Sequence, residues 1–156
     1  MMVIKAQKVS RKKFQKFGKL ATNPVGQPTS EGVDYKFWSD LASYQIEGET
    51  EISICRVFRQ EQNLIKGMER HLHTPEILIP IDAPFAVPLL LGDASEKEAM
   101  AFRVDLGQAI VIDPAVWHGA CLPVGKKESS YFVIFRRKTP FTDVEKKEII
   151  PFEIKI

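Results

Sequence analysis

Glu76-Ile-Leu-Ile-Pro-Ile81, Asp82-Ala-Pro84, Phe85-Ala-Val-Pro-Leu-Leu-Leu91 and Gly92-Asp93 make one continuous stretch, residues 76–93. Two short β-rich runs, Glu76–Ile81 and Phe85–Leu91, are separated by an Asp-Ala-Pro turn and closed by Gly-Asp, which predicts two strands. The same grammar extends outward. Upstream, Glu51–Arg59 alternates, with Ile52, Ile54 and Phe58 on one side and Ser53, Cys55 and Arg59 on the other. Downstream, Ala99–Asp105, Gln108–Ile112 and Ser129–Arg136 are further strands, and Asp113-Pro114 and Gly125-Lys-Lys are turns. Pro80, Pro84 and Pro88 are expected at strand ends and barrel corners, because proline cannot donate to a ladder. One short helix is expected near the start, capped by Ser10, carrying Phe14 and Phe17 and ended by Gly18. Near the end, charged Val144–Glu148 predicts one helical turn leading into Ile149–Ile156, a final edge strand. Many short strands with little helix predict an all-β sandwich or small barrel, with residues 1–156 as one domain.

Composition excludes several classes. The 156 residues are 44% apolar and 27% charged, which argues against disorder and low complexity. Lys+Arg of 22 against Asp+Glu of 20 leaves +2, so no global charge calls for nucleic acid or an anionic membrane. The basic clusters Arg11-Lys12-Lys13 and Arg136-Arg-Lys138 read as solvated faces. No stretch approaches the ~20 apolar residues of a membrane span. Cys55 and Cys121 are the only cysteines, which points to reduced thiols and a cytoplasmic location. Their apolar neighbours favour packing over nucleophilic chemistry.

The three histidines carry the strongest chemical signal. His71 and His73 are two apart, so on a strand both side chains would leave one face. His118 lies on a later strand-like segment, Val116–Cys121. Neutral imidazoles on neighbouring strands suit Zn, Mn, Ni or Fe, which makes His71, His73 and His118 the expected metal ligands. Glu76 is near enough in sequence to add a carboxylate, provided the chain bulges near Pro75. Without a metal, His71, His118 and Glu76 would still supply acid and base groups. Arg56 shares a strand side with Ile52, Ile54 and Phe58, the side expected to face inward. An inward guanidinium suits bidentate binding of a substrate carboxylate, the alternative being a structural ion pair. Trp117 is expected in the core or as a wall of the substrate pocket.

Two fragments resemble the paired motifs of the cupin superfamily. They are Gly67-Met-Glu-Arg-His71-Leu-His73-Thr-Pro-Glu76 and Gly107-Gln-Ala-Ile-Val-Ile-Asp-Pro114-Ala-Val-Trp-His118. A closer likeness covers nearly the whole chain. Phe14-Gln-Lys-Phe-Gly18, Ile52-Ser-Ile-Cys-Arg56, Met68-Glu-Arg-His71, Ile79-Pro80, Trp117-His118 and Asp143-Val-Glu145 follow the order and spacing of the ureidoglycolate lyase family, which this chain resembles. The resemblance implies a cupin-like (double-stranded β-helix) barrel. It also implies a lyase that releases glyoxylate and urea from a ureido acid, with His71, His118 and Glu76 catalytic and Arg56 and Trp117 against a small carboxylate substrate. A divalent metal, or no cofactor, and a homodimer are further expectations. The competing functions are a non-catalytic small-ligand-binding cupin and a metal-dependent cupin isomerase or oxygenase.

Overall fold

The computed structural model describes residues 1–156. In chain order the strands are β1 (Met2–Lys5), β2 (Gln7–Lys8), β3 (Gly18–Ala21), β4 (Ser30–Glu31), β5 (Lys36–Phe37), β6 (Thr50–Phe58), β7 (Leu64–Arg70) and β8 (Glu76–Pro80). They continue as β9 (Phe85–Leu90), β10 (Met100–Val104), β11 (Ala109–Ile112), β12 (Trp117–His118), β13 (Leu122–Pro123), β14 (Glu128–Arg136) and β15 (Glu145–Lys155). Two four-residue helices, α1 (Arg11–Phe14) and α2 (Thr139–Thr142), and a 3-10 turn at Glu96–Glu98 complete the regular structure. No helix is long and apolar enough to cross a membrane.

One sheet runs β1-β15-β7-β12-β9-β10-β2, with β13 also paired to β9. Its two ends are joined by the first residues of the chain. β1 pairs parallel to β15, and β2, one residue later, pairs parallel to β10. The sheet is thereby drawn into a nearly closed barrel. The second sheet runs β3-β11-β8-β14-β6. Phe14, Phe17, Phe85, Phe102, Ile110 and Val133 pack in the main core, and Ile65, Met68, Leu90, Trp117, Phe152 and Ile154 form a separate cluster. Because β9 is buried along its whole length, its sequence is a continuous apolar run.

Several elements differ from the sequence reading. Ser10 does cap α1, its hydroxyl accepting from the Lys13 amide at 3.4 Å, but the helix stops at Phe14. Gly18 is required for another reason: a Cβ there would lie 1.7 Å from the Val111 carbonyl oxygen, where β3 meets β11. Residues 144–148 form no helical turn. Glu145–Lys155 is one long strand, bulged between Glu148 and Phe152, and it lies between β1 and β7 instead of at an edge. Pro88 is tolerated inside β9 because the strands on one side change there. β13 covers Phe85–Ala86 and β12 covers Leu89–Leu90, so no donor is needed between them.

The alternation of β6 holds, but its sense is inverted. Ser53, Cys55 and Val57 turn toward the other sheet, whereas Ile52, Ile54, Arg56 and Phe58 are exposed. Small side chains along this part of the interior leave space. Gly67, Gly119, Ala120, Ser53 and Cys55 line a cavity of about 720 Å³ between β6, β8 and β14 on one side and β7, β12 and β15 on the other.

Candidate active site and metal centre

β7 ends at Arg70, and the chain turns through His71–Pro75 before β8 begins. Asp143, which follows α2, holds that turn. Its carboxylate accepts the amides of Leu72 and His73, each at 2.9 Å, and its carbonyl oxygen lies 2.7 Å from His71 Nδ1. Nδ1 must therefore carry the proton, which leaves Nε2 of His71 with a free lone pair. Burial raises the Asp143 carboxyl, but the amides of Leu72 and His73 outweigh it and hold the group below its ordinary value. His73 does not join its neighbour. Its ring is 65% exposed and rests 3.3 Å from the Asp143 carboxylate on the outside. The two-residue rule fails because these histidines lie in a turn and not on a strand.

Glu76 opens β8 opposite Ile112, and its ladder is regular from that residue onward, so no bulge is needed to bring it inside. One carboxylate oxygen, Oε2, lies 3.0 Å from His118 Nε2 and 3.6 Å from His71 Nε2. The two imidazole centroids are 5.2 Å apart. These are close approaches, not aligned bonds. His71 Nε2, Glu76 Oε2 and His118 Nε2 are all buried without a hydrogen-bond partner. Burial pushes the Glu76 carboxyl upward, but His118 and His71 together more than offset this and hold it below the usual carboxylate value. For His71, burial works downward, and Glu76 with the Asp143 carbonyl outweighs it, so its pKa is raised.

Glu69 is the residue that sequence reasoning missed. It lies directly opposite His118 across the β7–β12 ladder, and ligand atoms of Glu69, His71 and His118 all come within 4.8 Å of one another. Its signal in the sequence is a carboxylate two residues before His71. Glu69 lies near the end of β7, His71 follows just beyond the strand, and Glu76 comes after four further residues. Orphaned nitrogen and oxygen atoms on a shared buried centre fit a divalent metal of the Zn, Mn, Ni or Fe kind.

Glu69, Glu76 and His118 line the large cavity, and Glu69, His71 and Glu76 line a neighbouring one of about 440 Å³. Tyr131, Cys55 and Cys121 form part of the cavity wall. Burial, the largest influence, pushes the Cys121 thiol and the Tyr131 phenol strongly upward, so both remain protonated. Arg56 is not in the cavity. It lies on the outer face of β6, where Nε donates to Ser130 Oγ at 3.0 Å, so it is neither an inward clamp nor a buried ion pair. Trp117 is buried on the face opposite His118, as adjacent strand residues must be. Its Nε1 donates to the Gly92 carbonyl at 3.0 Å, and Arg70 and Lys147 sit 4.4 and 4.6 Å from its ring centroid. It is a core residue and not a pocket wall.

Among solved structures, a dTDP sugar isomerase from Desulfovibrio desulfuricans is similar in fold, with a TM-score of 0.52 at 19% identity over 83% of each chain. Peruvianin-I, a cysteine peptidase from Thevetia peruviana latex, gives 0.48 at 10% identity over 65% of this chain, and a mutant oxalate decarboxylase from Bacillus subtilis gives 0.42 at 18% over 72%. The chain spans only 57% and 33% of the length of those last two. No curated protein matches the chain. A family model described as Ureidoglycolate lyase matches residues 1–155.

Proposed function

Because the chain belongs to the ureidoglycolate lyase family, we propose that its buried glutamate–histidine centre splits a ureido α-hydroxy acid into glyoxylate and urea. One observation carries this reading: the Glu76 carboxylate oxygen, buried and unpartnered, sits beside two equally unpartnered imidazole nitrogens at a cavity large enough for such a substrate. The reaction removes the hydroxyl proton, forms the carbonyl as the carbon–nitrogen bond breaks, and returns a proton to the departing nitrogen so that urea leaves neutral. Glu76 is ionised at neutral pH and serves as the base; the same carboxyl, once protonated, is the acid for the leaving nitrogen. His118, at 3.0 Å, steadies that carboxylate, and the Asp143 carbonyl fixes the ring of His71. Glu69, His71 and His118 are the residues that would hold a divalent metal, and a bound ion would polarise the hydroxyl and carboxylate oxygens of the substrate.

The test is turnover of ureidoglycolate by the purified protein, with urea and glyoxylate appearing in equal amounts. Glu76→Gln is expected to lower kcat by roughly 10²- to 10⁴-fold, the usual contribution of a positioned acid–base group. Wild-type protein that binds the acid without releasing urea would overturn the lyase reading in favour of a binding protein. We also place this enzyme in the cytoplasm as a homodimer. Free Cys55 and Cys121 support the first, and the unpaired edge of β6 with its outward apolar side chains supports the second.

A further inference from the structure

A carboxylate substrate entering a cavity that already holds Glu69, Glu76 and Glu148 needs a cation. With Arg56 outside, the cavity wall offers two, Lys146 and Lys147, both on β15. The β15–β7 register separates them. Lys146 stands opposite Glu69 and Lys147 opposite Met68. Since Glu69 in turn stands opposite His118, the side chains of Lys146, Glu69 and His118 form one row across three adjacent strands on the cavity face. Lys147 takes the other face, and its ammonium lies over the Trp117 ring. The ion pairs nearby are Arg70–Glu145, His73–Asp143 and the Glu76 approaches to His71 and His118, none of which uses Lys146. Lys146 also lines both the large cavity and the smaller one beside His71.

We infer that Lys146 is the carboxylate anchor of this site, receiving the α-carboxylate of the substrate on its ammonium while the hydroxyl and ureido nitrogen face Glu76. The inference rests on the lyase reading for the identity of the acid, but not for the existence of an anion site. A structural alternative exists: Lys146 as a cross-strand countercharge that only screens Glu69.

The two are separated by comparing wild type, Lys146→Met and Lys146→Arg for calorimetric binding of glyoxylate and of its neutral amide, alongside KM and kcat for ureidoglycolate. The anchor predicts that Lys146→Met weakens glyoxylate about 10-fold or more, a charge-assisted hydrogen bond being lost, and leaves the amide unchanged. Lys146→Arg, which keeps the charge, should restore most of the affinity. For ureidoglycolate, KM should rise by a similar factor, with kcat changing less. Equal affinity of wild type and Lys146→Met for glyoxylate would overturn the anchor, as would parallel losses for glyoxylate and its amide. If wild type releases no urea yet the charge-selective loss is seen, the anchor stands and the lyase reading falls. If turnover proceeds and KM is indifferent to Lys146, the reverse holds.

Discussion

At the scale of single residues, Asp143 is the organiser of the site. It makes four contacts with the His71–Pro75 turn, three through its carboxylate to the Leu72 and His73 amides and the His73 ring, and one through its carbonyl to His71 Nδ1. Asp143→Ala removes the carboxylate bonds and leaves two half-buried amides without their partner, which should lower stability by about 1–3 kcal/mol. Because the turn also aims His71, kcat should fall with it, and Asp143→Asn should recover part of both. The pH dependence has a definite sign. The folded-state carboxyl lies below its ordinary value, so its stabilising effect is complete above the unfolded pKa and is lost as pH falls through the folded one. The stability gap between wild type and Asp143→Ala in urea titrations should therefore be constant near neutrality and narrow in the acid range. A gap that widened on acidification would contradict this. Cys121 gives a second check at this scale. Its buried thiol stays protonated, so alkylation by iodoacetamide at neutral pH should be slow until the protein is unfolded.

At the scale of elements, legibility followed periodicity. The runs at 51–59, 76–81, 85–91, 99–105, 108–112 and 129–136 all contain strands, because alternation or an unbroken apolar run states the period directly. What period 2 does not state is which side is inside. β6 has Ile52, Ile54 and Phe58 on one face and Ser53, Cys55 and Val57 on the other, and hydrophobicity alone assigns the first to the core. The cavity reverses the choice, since small side chains are what line an open space. Arg56 went outside with the same reversal. His71 and His73 part for a related reason: a two-residue spacing has meaning only within a strand, and β7 stops one residue before His71. Trp117, expected as core or as a wall of the substrate pocket, is placed by alternation. Standing next to His118, it must face the opposite way, and it packs with Leu90, Phe152 and Ile154. Trp117→Ala should cost about 3–5 kcal/mol of stability, as large buried aromatics do. Glyoxylate affinity measured below the melting transition should stay within about 2-fold of wild type, since the Trp117 side chain lies on the face away from the cavity. A selective loss of affinity with unchanged stability would return Trp117 to the pocket.

At the scale of the whole molecule, two faces of the second sheet have different fates. The inner face is divided between solid core near β11 and open cavity near β6. The outer face carries Ile52, Ile54 and Phe58 on β6 and Phe132 on β14, exposed by 70, 60, 57 and 37%. Ile52, Ile54 and Phe132 are neighbours, because Ile54 pairs with Phe132 and Ile52 with Ile134 across the β14–β6 ladder, whereas Arg56 stands between them and Phe58. An apolar patch on a nine-residue edge strand free of proline, with Arg56 as the one charge on the outer face of β6, is a template for further association. A second copy of the same chain would cover the patch, a two-fold axis setting it against itself and burying it on both copies. The C-terminal strand, expected from sequence to be an edge, has no free edge for such pairing, since β1 and β7 flank it. Light scattering should therefore give about twice the 17.7 kDa chain mass. Ile54→Lys places a charge in the centre of the patch and should shift the protein to monomer at micromolar concentration, because an unpaired buried charge is strongly disfavoured. Lys155→Glu, on the C-terminal strand, should leave the mass unchanged. A dimer that survives Ile54→Lys but dissociates with Lys155→Glu would move the interface to the other sheet, and a wild-type monomer at every concentration would leave the β6 face exposed for some other purpose than self-association.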